Sequence, residues 1–206
     1  MNTQIKRKSN FITLALFLLS SAAFAADEYK IDPNHSSANF AVKHFMVSTV
    51  KGRFSQISGT ILLDDADMAK SSVTAIIKAA SINTDNERRD NDLRSPNFFE
   101  VEKYPEIKFQ STRVEKTADG YVAIGNLTMK DVSKEIRLPF TLAKGEARGR
   151  AKIGVDASTS VNRFDYHINY DSSGTTVGKD VKIDINIEAN KADAAPAVPP
   201  PATPKS

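Results

Sequence analysis

Three histidines, His35, His44 and His167, are the side chains best suited by type to carry protons or hold a metal. No two are spaced as H-x-x-x-H or H-E-x-x-H, the spacing that sets two ligands on one helix face. His35 follows the turn cluster Asp32-Pro33-Asn34 and reads as a polar residue capping a strand start. His44 sits in an apolar strand beside Lys43, the setting of a half-buried histidine, and His167 follows Arg163-Phe164-Asp165-Tyr166 as a surface residue. His35-Ser36-Ser37 offers a base beside a nucleophile, but neighbours along a strand point to opposite faces. No G-x-S-x-G elbow and no Gly-rich phosphate loop are present. The acidic pairs Asp64-Asp65 and Asp90/Asp92 fall in turns or polar segments, where solvation explains them. Cysteine is absent, which excludes disulfides, thiolate metal sites and thiol nucleophiles. The expectation is therefore no catalytic set, no metal site and no cofactor. What remains is a group of arginines, Arg53, Arg94 and Arg163, suited to a polar or anionic head group. An ordinary ion pair with a nearby carboxylate is the simpler alternative for each.

The elements around these residues alternate with period two. Phe40, Val42, His44 and Met46 share one face of a strand over Asn39 to Met46, after a short strand at Glu28 to Ile31. Ile57 to Leu63 and Val73 to Ala79 repeat the pattern, as do Tyr121 to Met129, Lys134 to Leu142, Ala147 to Ala157 and Val181 to Ala189. Asp119-Gly120 signals a hairpin, and Pro139 marks an edge position or a bulge. The alternation breaks once. Thr84 or Asp85 can cap a helix over Asn86 to Leu93, Pro96 stops it, and Phe98, Phe99 and Tyr104 lie between it and the strand resuming at Ile107 and Phe109. Roughly eight strands in meander order close naturally as an up-and-down barrel. The predicted fold is all-β: an eight-stranded antiparallel lipocalin-like barrel with a helical insertion near residues 84–104 that closes one end. A β-sandwich is the alternative that periodicity alone leaves open. Inward residues are largely Ala, Val and Ile, which favours a cavity over a plugged bore.

The ends read differently. Lys6, Arg7 and Lys8, the apolar run Phe11 to Leu19 and Ala23-Phe24-Ala25 have the form of a cleaved signal peptide over residues 1–25. The run is far shorter than the roughly 20 residues of a membrane span. Removing it takes away three of the 28 basic residues and none of the 25 acidic ones, so the exported chain is formally neutral. The basic pI of the precursor is thus no sign of nucleic-acid binding. Residues 26–190 form one domain, and the Ala- and Pro-rich residues 191–206 are expected to be a disordered tail.

The motifs, taken in order, resemble the YceI-like family. Asp32-x-x-His35-Ser36, Phe40-x-Val42-Lys43-His44, Gly52-x-Phe54, Arg89-Asp90, Leu93-Arg94-Ser95, Phe98-Phe99 and Tyr104-Pro105-x-Ile107-x-Phe109-x-Ser111 carry the likeness. So do Gly125-Asn126-Leu127-Thr128, Arg163-x-Asp165-Tyr166 and Val177-Gly178-x-Asp180-Val181-x-Ile183, across Tyr29 to Ala189. The resemblance implies a periplasmic, non-catalytic barrel holding a polyisoprenoid or similar long-chain lipid, of quinone or prenyl phosphate type, as carrier or buffer, and often a homodimer. The expected lipid-lining set is Phe40, Val42, His44, Phe54, Ile77, Arg94, Phe98, Phe99, Ile107, Phe109, Leu127, Ile136, Leu138, Ile153 and Arg163. Three positions depart from the pattern. Asp92 stands where the family often has histidine, and Asp131 and His167 stand where glycine is common. The alternatives are an enzyme acting on a prenyl lipid through His44 with Arg94 or Arg163, and a ligand-free structural or stress barrel. Neither a nucleic-acid partner nor a stable membrane span is expected.

Overall fold

The computed structural model describes residues 26–193, so the expected signal segment and the expected tail beyond 193 lie outside it. The strands are β1 (Asp27–Ile31), β2 (Ser37–His44), β3 (Ser48–Phe54), β4 (Ile57–Leu63), β5 (Ser72–Lys78) and β6 (Ile82–Asn83). Helix α1 (Glu87–Arg94) follows, then β7 (Glu106–Thr117), β8 (Gly120–Met129), β9 (Val132–Ala147), β10 (Arg150–Asn162) and β11 (Val177–Lys191). All pairings are antiparallel, in the order β1-β4-β5-β7-β8-β9-β10-β11-β2-β3-β6, and β1 also pairs with β11.

That order is an eight-stave barrel with three bent staves. β11 pairs with β2 through Asn186↔Ser37 and with β1 through Ile31↔Ala189, so β1 and β2 are successive pieces of one stave. β3 and β4 form the next, and β5 and β6 the third, since β4 pairs with β5 and β3 with β6. Closure of β1 on β11 leaves no free edge around the ring, so the barrel expectation holds over the sandwich. Among the described residues, no helix is long and apolar enough to cross a membrane.

Local chemistry explains the boundaries. Asn86, not Thr84 or Asp85, caps α1, its side chain accepting the Arg89 N–H at 3.0 Å. Asp90 faces inward and takes both the N–H and the hydroxyl of Thr84, at 2.9 and 2.5 Å, tying the helix to the end of β6. The strand expected to run to Met46 ends at His44. Phe45 and Met46 turn the chain at φ 49° and 57°, and the Val47 N–H returns to the His44 carbonyl. Ala147 ends β9 rather than beginning β10, because Arg148 and Gly149, both at positive φ, make the turn. Pro139 pairs with Val122 of β8, and the β9–β10 ladder stops one residue short of it at Ala157↔Phe140, so on the β10 side it occupies an edge position.

The interior divides into two apolar clusters. Phe54, Ile82, Val101, Phe109, Leu127 and Tyr166 gather at the end carrying α1. Tyr29, Ile31, Leu63, Ile153, Ile187 and Ala189 fill the opposite end.

Candidate functional site

Between the clusters the barrel encloses a cavity of about 230 Å³. It runs from Leu63, Met68 and Leu142 near one end to Phe40, Phe98 and Val177 near the other. Apart from Asn39, Ser71, Ser72, Lys108, Thr159 and Arg163, the lining is apolar. An apolar cavity of roughly 150 Å³ stays dry and binds small hydrocarbons, so this larger one favours an apolar guest over water.

Alternation on the strands builds the wall. Val181, Ile183, Ile185 and Ile187 of β11, and Ile136, Leu138, Phe140 and Leu142 of β9, point into the bore at every second position. Glycine makes room for the largest ring. A Cβ on Gly52 would stand 2.4 Å from the Phe40 ring and 2.7 Å from Thr84, so only glycine lets Phe40 lie across β3. Phe40 then packs on Phe54 with centroids 5.7 Å apart, and Phe54 meets Phe99 edge-on at 5.6 Å.

The insertion after α1 narrows this end with Phe98 and Phe99, both lining the bore. Phe98 also packs against Tyr170 at 4.8 Å. Tyr104 does otherwise. It lies outside the cavity lining, and Lys103 and Lys130 sit over its ring at 4.9 and 5.8 Å.

A vestibule of about 480 Å³ continues the bore, sharing Phe40, Val42, Leu93, Phe98 and Val177 with it. Its polar rim includes Lys43, His44, Asn86, Arg88, Arg89 and Asp92. Three cations against one carboxylate make this mouth formally positive. Arg89 is held in place by Nε and Nη2 bonds to the hydroxyl and carbonyl of Thr84 at 2.7 and 2.9 Å.

The expected lining set divides accordingly. Phe40, Val42, Phe54, Ile77, Phe98, Phe99, Ile107, Phe109, Leu127, Ile136 and Leu138 all face the cavity. His44 is on the vestibule rim instead. Ile153, 1 % exposed, packs in the cluster at the end opposite α1, outside the lining. Arg94 is turned away, donating to the carbonyls of Ala80 and Ile82 at 2.9 and 2.8 Å and to Asn91 at 3.1 Å. It is a clasp between the helix and β6, not a head-group ligand.

Arg163 reaches the lining but its donors are taken. Nε bonds Gly178 O at 3.0 Å, Nη1 bonds Ile168 O at 2.6 Å, and Nη2 bonds Asp171 O and Val177 O at 3.0 and 2.7 Å. Four backbone carbonyls of the 163–178 connection thus converge on one buried guanidinium, which burial pulls below its ordinary pKa. Burial also pushes the Tyr166 hydroxyl up to about 12. Arg53 is exposed on β3. The sequence reading marked Arg89 only as a motif residue and gave neither Arg88 nor Arg89 a place at the mouth, because a charged helix shows no inward face until the helix is docked.

The remaining histidines lie elsewhere. His35 Nδ1 bonds Asp32 at 3.0 Å, and Glu188 approaches so that the three donor groups lie within 4.8 Å of one another. Long-range pairing of β1 and β2 with β11 brings Glu188 there, beyond the reach of sequence spacing. His167 takes the left-handed conformation at φ 56° and bonds Asp131 at 3.1 Å. Two of the three departures from the family pattern thus meet. The positive φ of the β8–β9 turn falls on Lys130 rather than Asp131.

Comparison with known proteins gives one consistent answer. Residues 29–189 match the model of the YceI-like domain. A UPF0312 protein of Serratia proteamaculans is 32% identical over 185 residues, covering 88% of this chain and 95% of that protein. One from Photorhabdus laumondii is 36% identical over 176 residues, 83% and 91% of the two chains. The crystal structure of the Campylobacter jejuni YCEI protein is 33% identical, with a TM-score of 0.67 over 73% of this chain and 90% of that one. A polyisoprenoid binding domain from Saccharophagus degradans, 17% identical, shares the fold at a TM-score of 0.60 over 80% of this chain and 98% of its own.

Proposed function

This chain belongs to the YceI-like family, and on that premise we propose that its bore carries or buffers a polyisoprenoid or similar long-chain lipid in the periplasm. The observation that carries the proposal is the continuous apolar lining from Leu63 and Met68 to Phe98, open to a vestibule and not filled by side chains. Each methylene buried is worth about 0.8 kcal/mol. A dozen carbons would therefore supply on the order of 10 kcal/mol before ordering costs. The Saccharophagus domain of the same fold is described as polyisoprenoid binding. The export signal expected at residues 1–25 would bring the chain to the compartment where such a lipid needs shielding from water.

A head group of anionic type, such as a prenyl phosphate, would sit at the vestibule near Lys43, Arg88 and Arg89 rather than at Arg94 or Arg163. A quinone would need only the bore. The catalytic alternative requires His44 to act with Arg94 or Arg163, yet both guanidiniums are bound to backbone carbonyls.

Organic extraction of protein purified from the periplasm, with mass spectrometry of the extract, tests the proposal. A long-chain isoprenoid at near-stoichiometric yield is expected. Protein that yields no lipid, and takes up neither an isoprenoid quinone nor a prenyl phosphate, would overturn it.

A further inference from the structure

A lipid that is costly to hydrate must enter and leave somewhere, and the surface around the vestibule is unlike the rest of the barrel. Five large hydrophobic residues are exposed among the described residues, and four of them are at this end: Phe45 (61 %), Met46 (64 %), Val47 (86 %) and Tyr170. Three are consecutive and form the tip of the β2–β3 hairpin. The tip is fixed to the rim by the Phe45 N–H, which donates to Thr176 O at 2.9 Å, and by the edge contact of Phe45 with His44, itself a rim residue.

The turn chemistry opposes this composition. Both central residues are left-handed, the conformation that hairpin turns assign to Asn-Gly, and unbranched or aromatic L-residues enter it at a cost. Phe and Met there gain no compensating burial within the chain. Charge points the same way. Lys43 and Lys51 lie on the two strands of the hairpin, on the same outer face by register, and Arg88 stands across the vestibule. Among the described residues none of the three has a carboxylate within ion-pair distance. An apolar tip ringed by unpaired cations is complementary to a bilayer with anionic head groups, with the tip in the acyl boundary and the cations over phosphates.

We propose that the β2–β3 hairpin is a membrane-docking wedge: Phe45, Met46 and Val47 insert into an anionic phospholipid surface and seat the cavity mouth against it. The ligand would then pass between bilayer and bore without crossing water. The docking goes beyond the carrier function, although its use in transfer rests on it.

Flotation with vesicles of phosphatidylcholine alone, and with half the lipid replaced by phosphatidylglycerol, reads the surface directly. The wild-type protein is expected to float with the anionic vesicles and less with the neutral ones, and salt should weaken the association. Phe45→Asn with Met46→Gly should cut partitioning at least tenfold on the scaling of binding with buried apolar area. It should hold or raise the melting temperature, because Asn-Gly suits the turn. Lys43→Ala and Lys51→Ala should each cost about fivefold on anionic vesicles only. Lipid loading from detergent micelles should match wild type in the hairpin double variant, whereas transfer from vesicles slows. Wild-type protein that floats with neither vesicle, or a folded double variant that floats like wild type, would overturn the proposal. So would a hairpin-dependent dimer that does not bind vesicles, since the tip would then be a protein interface. Hairpin-dependent flotation by a protein that loads no lipid would keep the wedge and overturn the carrier function instead.

Discussion

Arg163 is a position where a residue chosen for head-group chemistry turns out to organise backbone. Its guanidinium satisfies four carbonyls that the 163–178 connection would otherwise bury unpaired. Lysine supplies a point charge without the planar fork and can meet fewer of them. Arg163→Lys is therefore expected to destabilise the fold by about 2–3 kcal/mol, at the scale of lost hydrogen bonds to a charged donor. Urea denaturation measures this, and an unchanged midpoint would show that the carbonyls find other partners. Gly52 gives a second residue-scale prediction. Gly52→Ala places a methyl 2.4 Å from Phe40 and should cost about 1–3 kcal/mol through forced movement of that ring. Because Phe40 lines the cavity, lipid uptake should fall with stability. In the sequence these residues carried motif signals, Arg163-x-Asp165-Tyr166 and Gly52-x-Phe54, but not their roles. Which carbonyl or ring a side chain meets depends on segments that only folding brings together.

At the scale of elements, the 163–176 connection and α1 are the parts of the mouth that polar contacts hold. Asp171 anchors the first, accepting from the Ser173 hydroxyl and from the N–H groups of Thr176 and Val177, which lower its pKa to about 2. Glu106, at the start of β7, is lowered to about 2 by Lys78 and Lys108. Both folded values lie below the ordinary 3.8 and 4.5, so each group stabilises the fold fully above its ordinary value. That contribution is lost as pH falls from about 4.5 towards 2. Melting temperature measured from pH 7 to pH 2 should drop through this window. Asp171→Asn should lower the neutral-pH plateau and flatten the slope, and an unaltered slope would remove Asp171 from the account. Most elements were readable beforehand because period-two alternation and turn residues are local. The exceptions were local as well: Phe45 and Met46 continue an apolar pattern, so nothing in their types announces a turn.

For the whole molecule, an open bore should be separable from a stable wall. Ala157 lines the cavity from β10, and Ala157→Phe would fill empty space there rather than displace packed atoms. The expected outcome is a melting temperature within a few degrees of wild type and at least tenfold weaker isoprenoid uptake. Loss of folding with no ligand effect in the surviving protein would mean that the bore is core. The all-β class, the meander order, the helical insertion and most of the aliphatic lining follow from the sequence alone, because alternation states which face of each strand is buried. Closure as a barrel rather than a sandwich rests instead on the β1–β11 pairing. Even the insertion that brings Phe98 and Phe99 to one end of the bore was legible as the one break in the alternation. The tertiary structure decided the rest. It bent three staves, brought Glu188 to His35 and spent Arg94 and Arg163 on carbonyls. It also gathered Lys43, Arg88 and Arg89 into one mouth beside an exposed hydrophobic tip. Those outcomes depend on pairing between strands distant along the chain, and no local periodicity encodes which distant residue a side chain will face.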